Sequence, residues 1–225
     1  MSRPAAPKAH RPEARSAEGS PVSRGKSVSD PGHHPQSGRT LHAWRHPRAE
    51  GAAGRCIGRT DLHVNPRRAK RLAHRIRQHA RRHGLPRIVV TSPLQRSRAV
   101  GRWLARWGWQ YRIDAALAEA DFGHWDGQRW ADIPQAAIDA WCADFLHHAP
   151  GGGESVAHVL ARVQRFDPGP ARIVVTHGGW LSAARWWVSH GAQAPQPADW
   201  PSPPPHGERV EIAAAPSRAR EARVP

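Results

Sequence analysis

Two short runs of β-branched residues constrain the fold of this 225-residue chain most strongly. Residues 88–91 and 173–176 share the sequence Ile-Val-Val-Thr, and each run leads directly into a polar segment. Continuous apolar runs of this length are typical of strands that are buried on both faces, as in parallel sheets. Strand-like and helix-like segments alternate around them. We therefore predict an α/β fold: a single three-layer domain with a largely parallel central sheet flanked by helices.

The remaining elements follow from the periodicity of the apolar residues and from local capping signals. We predict strands at 40–44, 87–91, 110–113, 172–176 and 208–213. We predict helices at 66–83, 96–107, 134–147, 154–166 and 180–188. Asn65 and Pro66 supply an N-cap and a first-turn proline for the first of these helices, and Gly84 ends it.

Composition separates this domain from both ends of the chain. Residues 1–39 are rich in Pro, Ser, Gly, Ala, Arg and His, and all 11 tryptophans lie from Trp44 onward. A segment with so few large apolar side chains cannot bury enough surface to offset the entropy of ordering it. We therefore predict disordered tails at 1–39 and 214–225 around a folded domain at 40–213.

The chain is strongly basic, with 34 Lys and Arg against 18 Asp and Glu and a formal charge of +16. The helix predicted at 66–83 carries the densest group of cations, which are Arg67, Arg68, Lys70, Arg71, Arg75, Arg77, Arg81 and Arg82. Such a face fits either a patch for nucleic acid or another anionic surface, or a solvated helix in an arginine-rich chain. We favour the solvated helix, and nucleic-acid binding stays the alternative.

Several classes of protein are disfavoured by what the sequence lacks. It contains no run of about 18 apolar residues, so we predict no membrane span. No apolar stretch follows the basic N-terminal residues, which argues against a secretory signal. Cys56 and Cys142 fit a reducing compartment, and we predict a cytoplasmic protein in which each is a small packed residue. Because the histidines lack metal-ligand spacing, we predict neither a metal site nor a cofactor.

Basic residues follow three of the predicted strands at the point where each strand ends. Arg45 and His46 follow the first strand, Arg96 lies shortly after the second, and His177 follows the strand at 172–176. Ligands of open α/β sheets bind outside the carboxyl ends of the strands, so these side chains are expected to converge. Guanidinium groups bind a phosphate dianion bidentately, and a neutral imidazole beside it can attack phosphorus.

The motifs around these residues carry a resemblance to a known family. In chain order they are Arg45-His46, Gly54-Arg-Cys-Ile-Gly58-Arg-Thr-Asp61, Thr91-Ser-Pro-Leu-Gln-Arg96, Leu117-Ala-Glu119-Ala-Asp-Phe-Gly123-His-Trp-Asp-Gly127, Gly153-Glu-Ser155 and Val175-Thr-His177-Gly-Gly179. Their order and spacing resemble the histidine phosphatase superfamily, which has a phosphoglycerate mutase-like fold. Within it, the chain most resembles the bacterial α-ribazole phosphatases, from about Leu41 to Ile212.

This resemblance implies the chemistry of the site. His46 would be the nucleophile that becomes phosphohistidine, and His177 would donate a hydrogen bond to the phosphoryl group. Glu119 would protonate the leaving alkoxide and later activate water. Asp121 and Asp126 lie close to Glu119 in sequence and are the alternatives for this acid. The mechanism requires no metal.

The same resemblance implies how phosphate is held, and it also shows two departures. Arg45 and Arg96 would hold the phosphoryl oxygens. Family members often have Gly where this chain has Pro47, and often Asn where it has Ala52. Proline removes a backbone N–H that an anion would otherwise contact. Arg55 is our candidate for the missing phosphate contact.

The sequence therefore predicts a metal-independent phosphomonoesterase that acts on a small phosphorylated substrate. The resemblance suggests α-ribazole 5′-phosphate, from cobalamin nucleotide-loop assembly, as that substrate. Three alternatives stay open: a phosphatase for another small ester or for protein phosphohistidine, an inactive phosphate-binding relative, and a nucleic-acid-binding protein. The sequence does not indicate an oligomeric state.

Overall fold

The computed structural model describes residues 40–213, so the tails predicted at 1–39 and 214–225 lie outside the described residues. The strands are β1 (Thr40–Arg45), β2 (Ile88–Thr91), β3 (Gln110–Ile113), β4 (Ile173–Thr176) and β5 (Arg209–Ala213). The helices are α1 (Pro66–Arg82), α2 (Gln95–Arg106), α3 (Gln135–Ala143), α4 (Val156–Arg165) and α5 (Gly178–His190). Strands and helices thus alternate along the chain as the sequence predicts, except that both α3 and α4 lie between β3 and β4.

The strands form one five-stranded sheet in the order β3-β2-β4-β1-β5. β1, β2, β3 and β4 are parallel, and only β5 runs antiparallel, at the edge beside β1. The two Ile-Val-Val-Thr strands, β2 and β4, are neighbours, and Val90 pairs with Val174. This confirms the predicted α/β fold with a largely parallel sheet, and it places the ends of β2, β4 and β1 side by side.

The three central strands, β1, β2 and β4, contribute alternate side chains to two cores, one on each face of the sheet. Ile173 and Val175 pack with Leu72, Ile76 and Leu104 of α1 and α2. On the other face, Val174 packs with Trp180 and Leu181 of α5. Because successive side chains of a strand point to opposite faces, one apolar run supplies both layers. The described residues therefore form three layers, with helices on both faces of the sheet.

The helix boundaries differ from the predicted ones where local capping decides them. The predicted helix at 134–147 ends at Ala143, and the following residues form turns in which Phe145 stays buried. The predicted helix at 154–166 begins at Val156, because the Ser155 side chain accepts the hydrogen bond of the His158 amide and caps it. Cys56 is buried, but Cys142 on the short helix α3 is exposed, so its predicted packing was wrong.

Two irregular segments lie between the regular elements near the site. One spans residues 115–134 and contains three short 3-10 turns. The other, which we call the proline-rich segment (residues 195–206), connects α5 to β5. It is anchored where Pro204 O accepts a hydrogen bond from Arg45 Nη1, at 2.7 Å. No helix within residues 40–213 is long and apolar enough to cross a bilayer.

Candidate active site

His46 follows β1 directly and is 5 % exposed. Its backbone N–H donates to Thr176 O on the neighbouring strand β4, at 3.0 Å. This hydrogen bond fixes His46 at the carboxyl end of β1. Its ring Nδ1 lies 2.7 Å from Pro47 O. A carbonyl oxygen only accepts, so Nδ1 carries the proton and Nε2 keeps its lone pair. Proline lacks a backbone N–H but retains this carbonyl, so Pro47 orients the imidazole.

His177 follows β4 and is fully buried, with its ring centroid 4.9 Å from that of His46. Its Nε2 lies 2.7 Å from the Ser92 hydroxyl at the end of β2, and its Nδ1 accepts from Arg96 Nε at 3.2 Å. Because a hydroxyl can donate or accept, His177 has a partner at Nε2 in either neutral tautomer. In the tautomer that accepts from Arg96, the proton of His177 is on Nε2, and in the other neutral tautomer Ser92 donates to Nε2 and the proton is on Nδ1.

Two guanidinium groups lie beside these imidazoles. Arg96, 1 % exposed, donates to Thr60 O and Gly58 O at 2.8 and 2.6 Å as well as to His177. Arg45 donates to Pro204 O, and its buried Nε has no partner within residues 40–213. Neither guanidinium forms an ion pair with a described carboxylate. Both are held by neutral carbonyls and keep their charge available.

The electrostatics of the cluster follow from this burial of positive charge. Burial, with the charge of Arg96 next, holds the pKa of His46 well below its usual range. Burial and the neighbouring His46 and Arg96 do the same to the pKa of His177. Burial also lowers the pKa of Arg45 and of Arg96, while nearby Glu119 opposes that shift. Both imidazoles are therefore neutral at pH 7, in a cationic cluster that favours an anion.

Glu119 is the carboxylate that approaches this cluster, and it is 8 % exposed. Its Oε2 accepts from the Gly179 amide at 3.2 Å, and its Oε1 accepts from the Ala120 amide at 3.1 Å. Gly179 lies in the first turn of α5, so its amide is one of the N–H groups that have no partner within the helix. A Cβ on Gly179 would lie 2.5 Å from Glu119 Oε1, so only glycine permits this approach.

A partly buried ion pair supports the segment that carries Glu119. Arg162 of α4 donates to both carboxylate oxygens of Glu154, at 2.8 and 2.9 Å. The same guanidinium donates to the carbonyls of Ala116 and Ala118, at 2.8 and 3.1 Å. Arg162, with Arg59 and the amide of Asp121, lowers the pKa of Glu154 despite its burial. Glu154 thus helps to hold the backbone around Glu119 in place, through Arg162 and the Asp121 amide.

The two alternative acids have other partners. Both carboxylate oxygens of Asp126 are occupied by the amides of Gly58, Arg59 and Thr60 and by the Thr60 hydroxyl. Asp126 therefore fixes the loop whose carbonyls hold the Arg96 guanidinium. Asp121 Oδ1 accepts from the Gly123 amide at 2.8 Å, which stabilises a turn. The structure brings Glu119, and neither aspartate, to the amide of Gly179.

Arg55 is not brought together with the other predicted residues. It is exposed, and its Nη1 donates to Gly127 O at 2.8 Å. Within the described chain, no hydrogen bond or ion pair joins it to His46, His177 or Arg96. Arg59, four residues on, lies close enough to His177 for its charge to lower that pKa. Its Nη2 pairs with Glu154 at 3.2 Å, and its buried Nε has no partner within residues 40–213.

His206 is a further site residue that the sequence analysis missed. It ends the proline-rich segment, with its ring centroid 5.2 Å from that of His46 and its Nδ1 3.3 Å from His46 O. Burial and the charge of Arg45 lower its pKa to about 4. Its only sequence signal is its position just before β5, because the path of the proline-rich segment cannot be deduced from residue type.

These features define a class of protein: an α/β domain with a neutral, oriented imidazole in a cationic cluster at the edge of a parallel sheet. No group of three or more His, Cys, Asp or Glu side chains within residues 40–213 is arranged to hold a metal ion. The model of the histidine phosphatase superfamily (branch 1) matches residues 41–213, and the chain belongs to this family.

Among curated proteins, the chain resembles one over part of its length. A bifunctional protein of Mycobacterium tuberculosis is 38 % identical over 104 residues, which cover 44 % of this chain and 27 % of that protein. The chain therefore matches only about a quarter of that relative's length.

Two solved structures share the fold over a longer stretch. A mycobacterial glucosyl-3-phosphoglycerate phosphatase, solved in complex with VO3, is 25 % identical with a TM-score of 0.55 over 67 % of this chain and 80 % of its own. A candidate α-ribazole-5′-P phosphatase from Escherichia coli K-12 is 24 % identical with a TM-score of 0.56, over 66 % of this chain and 78 % of its own. The second likeness is one of fold alone.

Proposed function

We propose that this protein hydrolyses phosphomonoesters through a phosphohistidine formed at Nε2 of His46. The observation that carries this proposal is the hydrogen bond from His46 Nδ1 to Pro47 O. It leaves an unprotonated Nε2 beside the guanidinium groups of Arg96, which is buried, and Arg45, which is partly buried, and neither pairs with a carboxylate among the described residues. Membership of the histidine phosphatase superfamily supports the same reaction class.

In the first step, Nε2 of His46 attacks the phosphorus atom of a bound ester. The N–P bond forms as the P–O bond to the alcohol breaks, and Glu119 in its acid form donates a proton to the leaving oxygen. Arg45 and Arg96 stabilise the charge on the equatorial oxygens, and His177 donates from Nδ1. Stabilisation of this charge is the main requirement of phosphoryl transfer.

The second step returns the protein to its starting state. Glu119, now a carboxylate, takes a proton from water as the water attacks phosphorus and the N–P bond breaks. When the N–P bond breaks, Nε2 of His46 regains its lone pair and can react again. The covalent intermediate thus divides one difficult displacement into two easier ones. Two arginines supply the positive charge that a metal would otherwise provide, so we propose that the reaction is metal-independent.

We propose α-ribazole 5′-phosphate as the first substrate to test, on the strength of the sequence motifs. Another small phosphate ester or a phosphohistidine on a protein is the alternative, and the mycobacterial relative named for glucosyl-3-phosphoglycerate motivates it. An inactive phosphate-binding protein is a second alternative, because Pro47 and Ala52 depart from the family pattern, and a nucleic-acid-binding protein is the third. A panel of esters compared by kcat/KM separates the substrates.

The test of the reaction class is hydrolysis of an aryl phosphate by the wild type and by His46→Ala, both in chelator. We expect chelator-resistant activity that the substitution abolishes, with an acid-labile phosphoenzyme trapped from the wild type only. Circular dichroism of the variant checks that its fold persists. Unchanged activity of His46→Ala would contradict the proposal, and tight phosphate binding without turnover by the wild type would indicate an inactive relative.

A further inference from the structure

An apolar cavity of about 290 Å³ lies next to Glu119. Its walls come from the segment around Phe122, from α3 and from the proline-rich segment. The aromatic and proline side chains that line it include Phe122, Trp141, Phe145, Trp200, Pro201 and Pro203. A cavity of this kind is typical of a site for an apolar group, and its volume lies at the small end of known ligand pockets.

The cavity lies on the side of the proposed reaction centre where Glu119 is located. Ala120 and Gly179 line it, and their amides are the two that donate to the Glu119 carboxylate. Glu119 is the group that protonates the leaving oxygen under the proposed function. An ester whose phosphoryl group lies between Arg45 and Arg96 would therefore extend its alcohol portion past Glu119 and into this cavity.

The rings in the wall hold one another in place. The ring centroids of Trp141 and Phe145 lie 5.7 Å apart, and those of Phe145 and Trp200 lie 5.5 Å apart at an interplanar angle of 75°. Trp200 also packs against Trp186 of α5, 6.1 Å away. Because aromatic side chains lose little entropy when a ligand binds, such a wall favours flat apolar groups.

The lining contains little that would recognise a polar alcohol. No Lys or Arg lines it within the described chain. Glu154 is its charged member, and Arg162, Arg59 and the Asp121 amide already occupy that carboxylate. Besides Glu154, the lining offers the hydroxyl of Ser202 and the indole N–H of Trp141, which is buried without a partner within residues 40–213. A sugar with several hydroxyls, or a second acidic group, would therefore lose more contacts with water than it regains here.

We infer that the preferred substrates are phosphomonoesters whose alcohol carries a flat, apolar group of about two fused rings, which packs against the wall formed by Trp141, Phe145 and Trp200. This inference rests on the proposed function, and it names the class of substrate that the site selects. An aromatic base on a ribose phosphate belongs to this class, whereas a phosphate ester of an acidic sugar does not.

The experiment compares 2-naphthylmethyl phosphate with glycerol 1-phosphate, two esters that both release a primary alkoxide. Their shared leaving-group chemistry makes the ratio of their kcat/KM values report on the cavity. We expect the wild type to prefer the naphthyl ester by about tenfold or more, since each apolar group buried in a pocket contributes on this scale. We expect Trp200→Ala and Phe145→Ala each to lower that ratio by roughly fivefold or more.

Trp103→Ala is the matched control, because Trp103 lies on α2 on the other side of the sheet. Removal of this indole is expected to leave the ratio as it is in the wild type. Trp200→Leu keeps an apolar side chain and serves if the alanine variant fails to fold. A wild-type ratio near one, or a ratio that Trp200→Ala and Trp200→Leu leave unchanged, would overturn the inference.

Binding of phosphonates separates this inference from the proposed function. Calorimetry with 2-naphthylmethylphosphonate and methylphosphonate measures the cavity without turnover. An inactive protein that binds the naphthyl compound more tightly, with a preference that Trp200→Ala removes, would refute the hydrolysis and retain the cavity. Equal affinities for the two phosphonates would overturn the cavity's role, even in an active enzyme.

Discussion

The two imidazoles of the site are distinguished by the partners of their ring nitrogens. His46 Nδ1 donates to a carbonyl, which accepts only, so its tautomer is fixed with a free lone pair at Nε2. His177 Nε2 contacts the Ser92 hydroxyl, which accepts or donates. The first arrangement suits a nucleophile, and the second suits a donor that responds to the charge of a bound anion. One residue type thus fits both roles in the proposed mechanism.

Replacement of Glu119 by Gln tests the role of its proton. For an alkyl ester, we expect kcat of Glu119→Gln to fall by roughly 10²–10⁴, the usual contribution of a general acid. For an aryl ester, whose leaving group needs little protonation, phosphoenzyme formation is expected to remain fast. Rapid-quench kinetics with both esters measures the difference.

Asp121→Asn is the matched control for that substitution. Asparagine retains the side-chain oxygen that accepts from the Gly123 amide, so the turn persists while the charge is lost. We expect this variant to hydrolyse both esters at close to the wild-type rate. If Asp121→Asn lost alkyl-ester turnover and Glu119→Gln kept it, the acid would be Asp121.

At the residue scale, the sequence predicts best the positions of those site residues that lie at the ends of strands. Arg45, His46 and His177 adjoin strands whose order in the sheet makes their ends neighbours. Arg55 and Arg59 lie in a loop without periodicity, whose shape depends on Asp126, more than 60 residues away. Residue type alone therefore could not indicate that Arg59, rather than Arg55, lies near His177.

At the first turn of α5, two glycines allow the helix to pack closely against two site residues, Arg45 and Glu119. A Cβ on Gly178 would lie 3.1 Å from Arg45 Nη2, and one on Gly179 would lie 2.5 Å from Glu119 Oε1. The two glycines let the helix approach the arginine and the acid together. The His-Gly-Gly sequence at the end of β4 is thus explained by the space that these two side chains need.

Gly179→Ala should therefore separate activity from stability. Alanine is favoured over glycine in a helix by up to about 1 kcal/mol, so the thermal midpoint is expected to hold or rise. The added methyl group displaces the Glu119 carboxylate, so we expect kcat for alkyl esters to fall by roughly tenfold or more. Calorimetry and steady-state kinetics on the same preparation measure the two effects.

Ser182→Ala, on the same helix, provides the comparison. Its hydroxyl is buried and has no hydrogen-bond partner within residues 40–213, so its loss is expected to leave kcat unchanged. A Gly179→Ala enzyme with wild-type turnover would show that Glu119 need not occupy the position seen here. A large fall in its thermal midpoint would point instead to a packing defect.

At the element scale, the helices and strands were predictable because burial imposes a period on their sequences. α1 buries Leu72, Ala73, Ile76 and Ala80 at helical spacing, with Asn65 as its cap. The segment at 115–134 and the proline-rich segment have no such period. Ion pairs and ring contacts distant in sequence determine their paths, so the cavity they enclose had no local signal.

At the scale of the whole molecule, the main feature is the net positive charge of the chain. No Asp or Glu occurs between Pro66 and Arg106, so α1 and α2 present a face that is almost purely cationic. We expect this face to attract dianionic esters and raise their association rate. kcat/KM should therefore fall several-fold between about 20 and 200 mM salt, because the screening length shortens over this range. kcat should stay constant.

Charge reversal on α1 identifies the source of that effect. Arg71→Glu, on the exposed face of α1, is expected to lower kcat/KM at low salt and to match the wild type at high salt. Arg165→Glu, exposed on α4 across the sheet, is the control with the same charge change. A nucleic-acid-binding function would appear instead as a gel shift that weakens steeply with salt, and we expect none at physiological salt.

The two buried neutral histidines, His46 and His177, also make the free energy of unfolding depend on pH in the acid range. The pKa values of His46 and His177 lie well below 6.5 in the folded protein, whereas unfolding restores them to about 6.5. Below pH 6.5, the unfolded chain therefore binds more protons than the folded one. The free energy of unfolding falls as the pH falls through this range, and it is insensitive to these two groups above it.

Each such histidine changes the free energy of unfolding by at most about 1.4 kcal/mol per pH unit. Urea unfolding of the wild type between pH 5 and 6.5, in buffer without phosphate, is expected to show a steep loss of stability toward acid. His46→Asn removes one of these groups, so its slope should be shallower by up to that amount. Equal slopes would mean that His46 accepts its proton in the folded protein, and that its imidazole is not held neutral by the cationic cluster.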